Sequence, residues 1–212
     1  SLFKGLPQNI LDNMEEVILK WKSLGYEVKD VEMPNASYAL AVYYIIMPAE
    51  VSSNLARYDG VKYGEHTEGK DLLEDYFKTR GEHFGREVRR RIMLGTYVLS
   101  AGYYDSYYGK AETARSLIRA DYDKVFETAH LVLTPTAPST AFALGEKTAD
   151  PLQMYLADVF TVTANITGAP GISLPSGFVS EGSSKLPLGV QLVAPHYRED
   201  LLFRAGKDFL GE

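Results

Sequence analysis

Apolar residues at Ile10, Leu11, Met14, Val17, Ile18, Trp21 and Leu24 step by three and four, which predicts a helix over Pro7–Leu24 ended by Gly25. Tyr26–Met33 alternates apolar and polar positions and predicts a strand after that helix. Helix, glycine and strand in that order form a step of a layered α/β protein. Beyond Pro34 the period returns to helical, with a long apolar helix over Ala36–Ala56, broken or bent near Pro48. Arg57–Gly69 is polar and glycine-containing, hence a loop. Asp71 to about Ala129 reads as helical, with turns near Gly81–Gly85 and Gly109.

The last third changes character. Leu131–Thr134 is a short apolar strand running into a Thr-Pro-Thr-Ala-Pro segment. Leu152–Thr167 is helical in one or two pieces, and the turn Gly168–Gly171 leads to a strand at Ile172–Leu174. A second strand follows at Leu188–Val193, and Asp200–Leu210 closes the chain as a helix. The strands are few and far apart in sequence, which points to part of a larger sheet. Such a piece is expected to expose apolar surface and to self-associate.

One segment departs from simple amphipathicity. Arg86, Arg89, Arg90 and Arg91 precede thirteen uncharged residues, Ile92–Tyr104. Read as one helix, that run is about 20 Å long, too short to span a bilayer. Its apolar residues go all the way round, which predicts a helix buried on most sides. Three successive arginines cannot share a face when each residue turns by about 100°. Arg91 adjoins the uncharged run and is the one expected to point inward, while Arg89 and Arg90 suit a solvated face. A guanidinium at the edge of a core requires an anion, either an internal carboxylate or a ligand.

Composition narrows the chemistry. Hydrophobic and charged fractions of 45% and 24% suit an ordinary globular protein of 212 residues, and a net charge of -6 argues against a surface built to coat nucleic acid. The absence of cysteine removes disulfides, thiolate nucleophiles and Cys-zinc sites, and suits a cytoplasmic protein. No signal-type apolar segment opens the chain. His66, His83, His130 and His196 lack the spacing of a metal site, and Ser183-Ser184 suits a hairpin turn better than a catalytic pair. No G-x-S-x-G elbow, phosphate loop or dinucleotide fingerprint occurs. Fifteen tyrosines, paired at 43–44, 103–104 and 107–108, imply polar pockets or well-bonded cores. Asp158 sits in the apolar run Met154–Phe160, where an unpaired carboxylate is costly. Two readings of Arg91 and Asp158 stand side by side. They pair with each other, or they bracket a zwitterion, with Arg91 on a carboxylate and Asp158 on an ammonium.

Four segments carry a resemblance. They are Ser52–Gly64 (SSNLARYDGVKYG), Arg89–Thr96 (RRRIMLGT) with Gly102–Asp105, Pro135–Pro138 (PTAP) and Asn165–Gly177 (NITGAPGISLPSG). Together they resemble the amidase signature family, most closely its branch of glutamyl-tRNA(Gln)/aspartyl-tRNA(Asn) amidotransferase A subunits. The resemblance implies an α/β fold with a mixed β-sheet covered by helices, of which residues 1–212 would be the C-terminal portion of a single amidase domain. It implies a serine nucleophile, a second serine and a lysine in an upstream Gly/Ser-rich portion. No Gly-Gly-Ser-Ser-Gly-Gly pattern occurs here, so no catalytic residue transfers to this chain.

Glutamine recognition does transfer. The tyrosine of the Tyr-Tyr segment, the arginine before Ile-x-Leu-Gly and the aspartate of Met-Tyr-x-x-Asp correspond to Tyr43, Arg91 and Asp158. The resemblance implies a cytoplasmic ligase complex with B and C subunits, acting on misacylated tRNA with ATP and Mg, and neither cofactor nor metal in this chain. The alternatives are a hydrolase of simple amides from the same family and a non-catalytic module that contacts RNA or protein through the arginine cluster.

Overall fold

A computed structural model describes residues 3, 5–146 and 151–211, with backbone alone at 151–153. The chain divides into two compact units, Ser1–Leu40 with Ala114–Glu212, and Ala41–Thr113. The second unit is thus inserted in sequence between the two parts of the first.

Helix α1 covers Gln8–Ser23 and buries the predicted stripe, Ile10, Met14, Val17 and Trp21. Gly25, at a φ of +88°, turns the chain out of it. No strand forms at Tyr26–Met33. That segment has the alternation of a strand, and Tyr26 and Val28 pack against the core, but no neighbouring backbone completes a ladder there. Alternation records which side is buried; a strand also needs a partner. Helix α2, Ala39–Asn54, follows a 3-10 turn at Ala36–Tyr38 and runs unbroken through Pro48. A second 3-10 turn, Leu55–Arg57, ends it.

Helix α3 spans Leu72–His83, and Asp71 caps it by accepting from the Glu74 amide at 2.9 Å. Arg80 ties α3 to the end of α2, donating to the carbonyls of Leu55 and Tyr58 at 2.9 Å each. Helix α4, Arg86–Val98, is shorter than the uncharged run suggests. The chain breaks at Leu99–Tyr103, where Gly102 takes a φ of +85°, and not at Gly109. A π-helical stretch, Tyr104–Gly109, passes directly into α5, Lys110–Phe126. Nor is α4 buried on most sides. Apart from Arg90, its covered positions are Val88, Arg91, Ile92, Gly95 and Val98, a single stripe at mostly three- and four-residue spacing, while Met93 is 73% exposed. Lack of charge misled here: the exposed side is apolar too. Leu72, Leu73 and Phe77 of α3 are likewise exposed, as expected of a chain that leaves apolar surface uncovered.

The remaining elements belong to the first unit. They are β1 (Val132–Pro135), α6 (Pro151–Leu156), α7 (Val162–Thr167), β2 (Gly171–Glu181), β3 (Ser184–Val193) and α8 (Glu199–Leu210). The strand order is β1-β3-β2, every pairing is antiparallel, and Gly182-Ser183 forms the β2–β3 hairpin turn. The α/β class holds, with the mixed character expected of the sheet not shown by these three strands. Central β3 is covered on both faces, with Leu188, Val190, Gln191, Leu192 and Val193 all buried. Val190, Leu192 and Ala194 meet α1 and α8 through Met14, Val17, Trp21, Leu202, Ala205 and Phe209, and Trp21 stacks on Phe209 at 5.0 Å. On the other face Gln191 donates to the Phe160 carbonyl at 3.0 Å, and Tyr122 of α5 bonds Thr163 of α7 at 2.8 Å.

Strand β2 carries an extra residue. Pro175 pairs with Gly189 and Gly177 with Leu188, so Ser176 bulges from the ladder. Buried Asn13 of α1 clasps it, donating to the Ser176 carbonyl at 3.0 Å and accepting from the Ser176 hydroxyl at 2.7 Å. Gly177, at a φ of +151°, brings its backbone close enough that a Cβ would stand 3.1 Å from the Asn13 amide nitrogen. Asn13→Ala leaves both bulge groups without their partner and is expected to cost about 1–3 kcal/mol. Urea unfolding followed by tryptophan fluorescence checks this: the midpoint falls at unchanged slope.

Candidate functional site

The inserted unit organises its charged site through one close backbone approach. Gly95 of α4 lies against Pro48 of α2, and a Cβ on residue 95 would fall 1.9 Å from the Pro48 carbonyl oxygen and 2.8 Å from Ser52 Cβ. No side chain fits there, so glycine is obligatory for this crossing. Proline cannot donate to the carbonyl one turn before it, yet α2 continues through Pro48.

Helical spacing then sets what faces what. One turn before Gly95 stands Arg91, and one turn before that Glu87; on α2, Met47 adjoins Pro48 and Tyr43 lies one turn earlier. Arg91 reaches across to Met47, its Nη1 3.3 Å from the sulfur. Its Nε donates to Glu87 Oε1 at 2.8 Å. Arg90 takes both oxygens of the same carboxylate, with Nε to Oε2 at 2.9 Å and Nη2 to Oε1 at 2.8 Å. Arg91 is half-buried, as its position beside the uncharged run predicts.

Electrostatics follow from that geometry. Burial works against the charged form of Arg91, but the hydrogen bond and charge of Glu87, with Tyr43 beside the guanidinium, outweigh it and raise the pKa. Burial also pushes the Glu87 carboxyl up, and its bonds to Arg91 and Arg90 bring it net below the ordinary value. Arg91 and Glu87 are therefore each held in the charged form, and with Arg90 the cluster sets two guanidiniums against one carboxylate. It can accept a carboxylate.

Of the three residues expected to bind substrate, the structure brings Tyr43 and Arg91 together. Asp158 belongs to the other compact unit. It is exposed and not embedded among apolar side chains, because α6 stops at Leu156 and the chain turns before α7. The cost of a buried unpaired carboxylate therefore does not arise. Its backbone carbonyl accepts from the amides of Thr161 and Val162 at 3.0 Å and so opens α7. The carboxylate engaged with Arg91 is Glu87. Sequence reasoning passed over Glu87, Arg90 and Met47, although Glu87 stands three and four residues before the two arginines, the spacing of helical ion pairs. No group of three or more His, Asp or Glu that could hold a metal exists among the described residues. Among the same residues no helix is long and apolar enough to cross a membrane.

The Amidase family model matches residues 2–203. This chain belongs to the amidase family. The glutamyl-tRNA(Gln) amidotransferase A subunit of Desulfatibacillum aliphaticivorans is 52% identical over 205 residues, which are 97% of this chain and 42% of that protein. Its counterpart in Parvibaculum lavamentivorans is 54% identical over 202 residues, 95% of this chain and 40% of the relative. Among solved structures, the glutamyl-tRNA(Gln) amidotransferase A subunit from Thermotoga maritima superposes with a TM-score of 0.65 at 37% identity, covering 96% of this chain and 37% of that one. This amidase chain thus spans about 40% of the length of the curated relatives it matches.

In this member of the amidase family the α2–α4 crossing rests on residue 95 lacking a side chain. Gly95→Ala is expected to destabilise the inserted unit by at least about 2 kcal/mol through overpacking against the Pro48 carbonyl. Thermal unfolding of this variant beside Gly81→Ala, whose added Cβ meets nothing within 4 Å, checks it: only the first loses stability.

Proposed function

We propose that this chain is the glutamine-recognising part of an amidotransferase A subunit. The reading is carried by one observation: Arg91, held between Tyr43, Met47 and Glu87, shares that one carboxylate with a second guanidinium, Arg90. A hydrolase of simple amides has no carboxylate to match to such a charge, whereas an amino acid has. In the full-length protein Arg91 takes the α-carboxylate of glutamine, Asp158 its α-ammonium, and Tyr43 borders the carboxylate beside the guanidinium. Clamping both α-groups fixes where the side-chain amide lies, which converts binding into orientation for attack. Kinship to amidotransferase A subunits at more than 50% identity supports the assignment.

The nucleophile is supplied from outside these residues. Glutamine is cleaved through an acyl-enzyme on a serine, with a second serine and a lysine moving the proton. Ammonia so released passes to a B subunit, which activates Glu-tRNA(Gln), and in some systems Asp-tRNA(Asn), with ATP and Mg; a C subunit joins the other two. The whole is a cytoplasmic ligase of protein biosynthesis with no membrane component.

In the full-length protein, Arg91→Ala is expected to lower kcat/KM for glutamine about 100-fold, the worth of a charge-assisted hydrogen-bonded pair, with the fold intact by circular dichroism. Unaltered glutaminase kinetics would reject the site. The 212-residue chain by itself is expected to release no ammonia from glutamine, and reproducible release above a blank in a coupled glutamate dehydrogenase assay would show that it holds its own nucleophile.

A further inference from the structure

Glu87 poses a question that the glutamine reading leaves open. An acidic residue next to a carboxylate-binding arginine should compete with the substrate for it. An ordinary bidentate Glu–Arg pair would occupy a complete edge of the guanidinium and cancel its charge. The structure avoids this in two ways. Arg90 spans both oxygens of Glu87, at 2.8 and 2.9 Å, and supplies the balancing charge. Arg91 receives only Oε1, through Nε alone. Its Nη1 points to Met47, a neutral sulfur that packs against the group without neutralising it. One carboxylate thus orients Arg91 while a second arginine carries the charge that would otherwise silence it.

We propose that Glu87 is a positioning residue for Arg91, and that Arg90 keeps Glu87 from quenching it, so that Arg90, Glu87 and Arg91 act as one carboxylate-recognition unit. This rests on the reading of Arg91 as the glutamine clamp. Helical spacing makes the unit local: residues 87, 90 and 91 lie within little more than one turn of α4, so its geometry is set before any ligand arrives. The unit also gives Arg90 a purpose beyond a solvated face. Pre-orientation matters because Arg91 is a long, flexible side chain whose ordering otherwise falls on the binding step.

The test uses the full-length protein in its complex with two amides, glutamine and 4-aminobutanamide, which lacks the α-carboxylate. Glu87→Ala is expected to raise KM for glutamine about tenfold and to lower the ratio of kcat/KM for glutamine to that for 4-aminobutanamide by a similar factor. Glu87→Gln, which keeps an acceptor for Arg91 Nε, recovers most of both. Arg90→Gln frees Glu87 to embrace Arg91 and is expected to lower the same ratio, with Glu87→Gln in the same chain restoring it. A purely structural role for Glu87 lowers turnover of both amides alike and leaves their ratio unchanged, which overturns the proposal. If Glu87→Ala fails to assemble, the Arg90→Gln pair decides by the same ratio. A changed ratio in Arg91→Ala with an unchanged one in the Glu87 and Arg90 variants removes the positioning role alone. An unchanged ratio in Arg91→Ala removes the clamp as well.

Discussion

The inserted unit depends on a contact between two backbones. Where Gly95 meets Pro48, α2 and α4 approach more closely than any pair of side chains would permit. Arg91 and Glu87 hang from that crossing at intervals of one helical turn. Tyr43 and Met47 precede Pro48 on one helix, and Glu87 and Arg91 precede Gly95 on the other. The distance from Arg91 to Met47 is therefore a consequence of a missing Cβ one turn away. Rigid placement of a long side chain is hard to achieve with side chains alone; here the scaffold is main chain.

The charge arrangement builds on this. Two guanidiniums beside each other repel, and a half-buried one loses hydration as well. Glu87 relieves both by accepting from each guanidinium. The result is a site that keeps a positive charge without leaving an arginine unsupported. On the glutamine reading proposed above, such a site selects by the α-carboxylate, remote from the amide that reacts.

How far the sequence could be read depended on what each pattern encodes. The stripe from Ile10 to Trp21 encodes a helix with one buried side, and α1 has it. Leu188–Val193 encodes a strand covered on both faces, and β3 is one. The alternation at Tyr26–Met33 encodes burial too, yet strand formation needed a neighbour that the segment itself cannot specify. Along Ile92–Tyr104, lack of charge does not amount to burial: Met93 and Tyr97 are apolar or aromatic and exposed. The sequence singles out Arg91 by its place at the junction of charged and uncharged residues and Asp158 by its apolar neighbours, with family resemblance adding to both, whereas Tyr43 rests on the resemblance alone. Glu87 was legible in principle from its spacing to Arg90 and Arg91. Gly95 was not, since the close approach of two helices far apart in sequence leaves no local trace.

The interruption of the first unit has a consequence for how the chain is made. Met14, Val17 and Trp21 of α1 are buried against Leu174, Val190, Leu202 and Phe209. Those partners leave the ribosome only after the whole inserted unit has been synthesised. At about 5–20 residues per second the apolar stripe of α1 waits on the order of ten seconds for its core. Residues 41–113 hold local helical contacts of their own, such as Gly95 on Pro48, and can begin to fold meanwhile. The nascent protein therefore passes through a stage in which residues 41–113 are organised while the apolar stripe of α1 still lacks these partners.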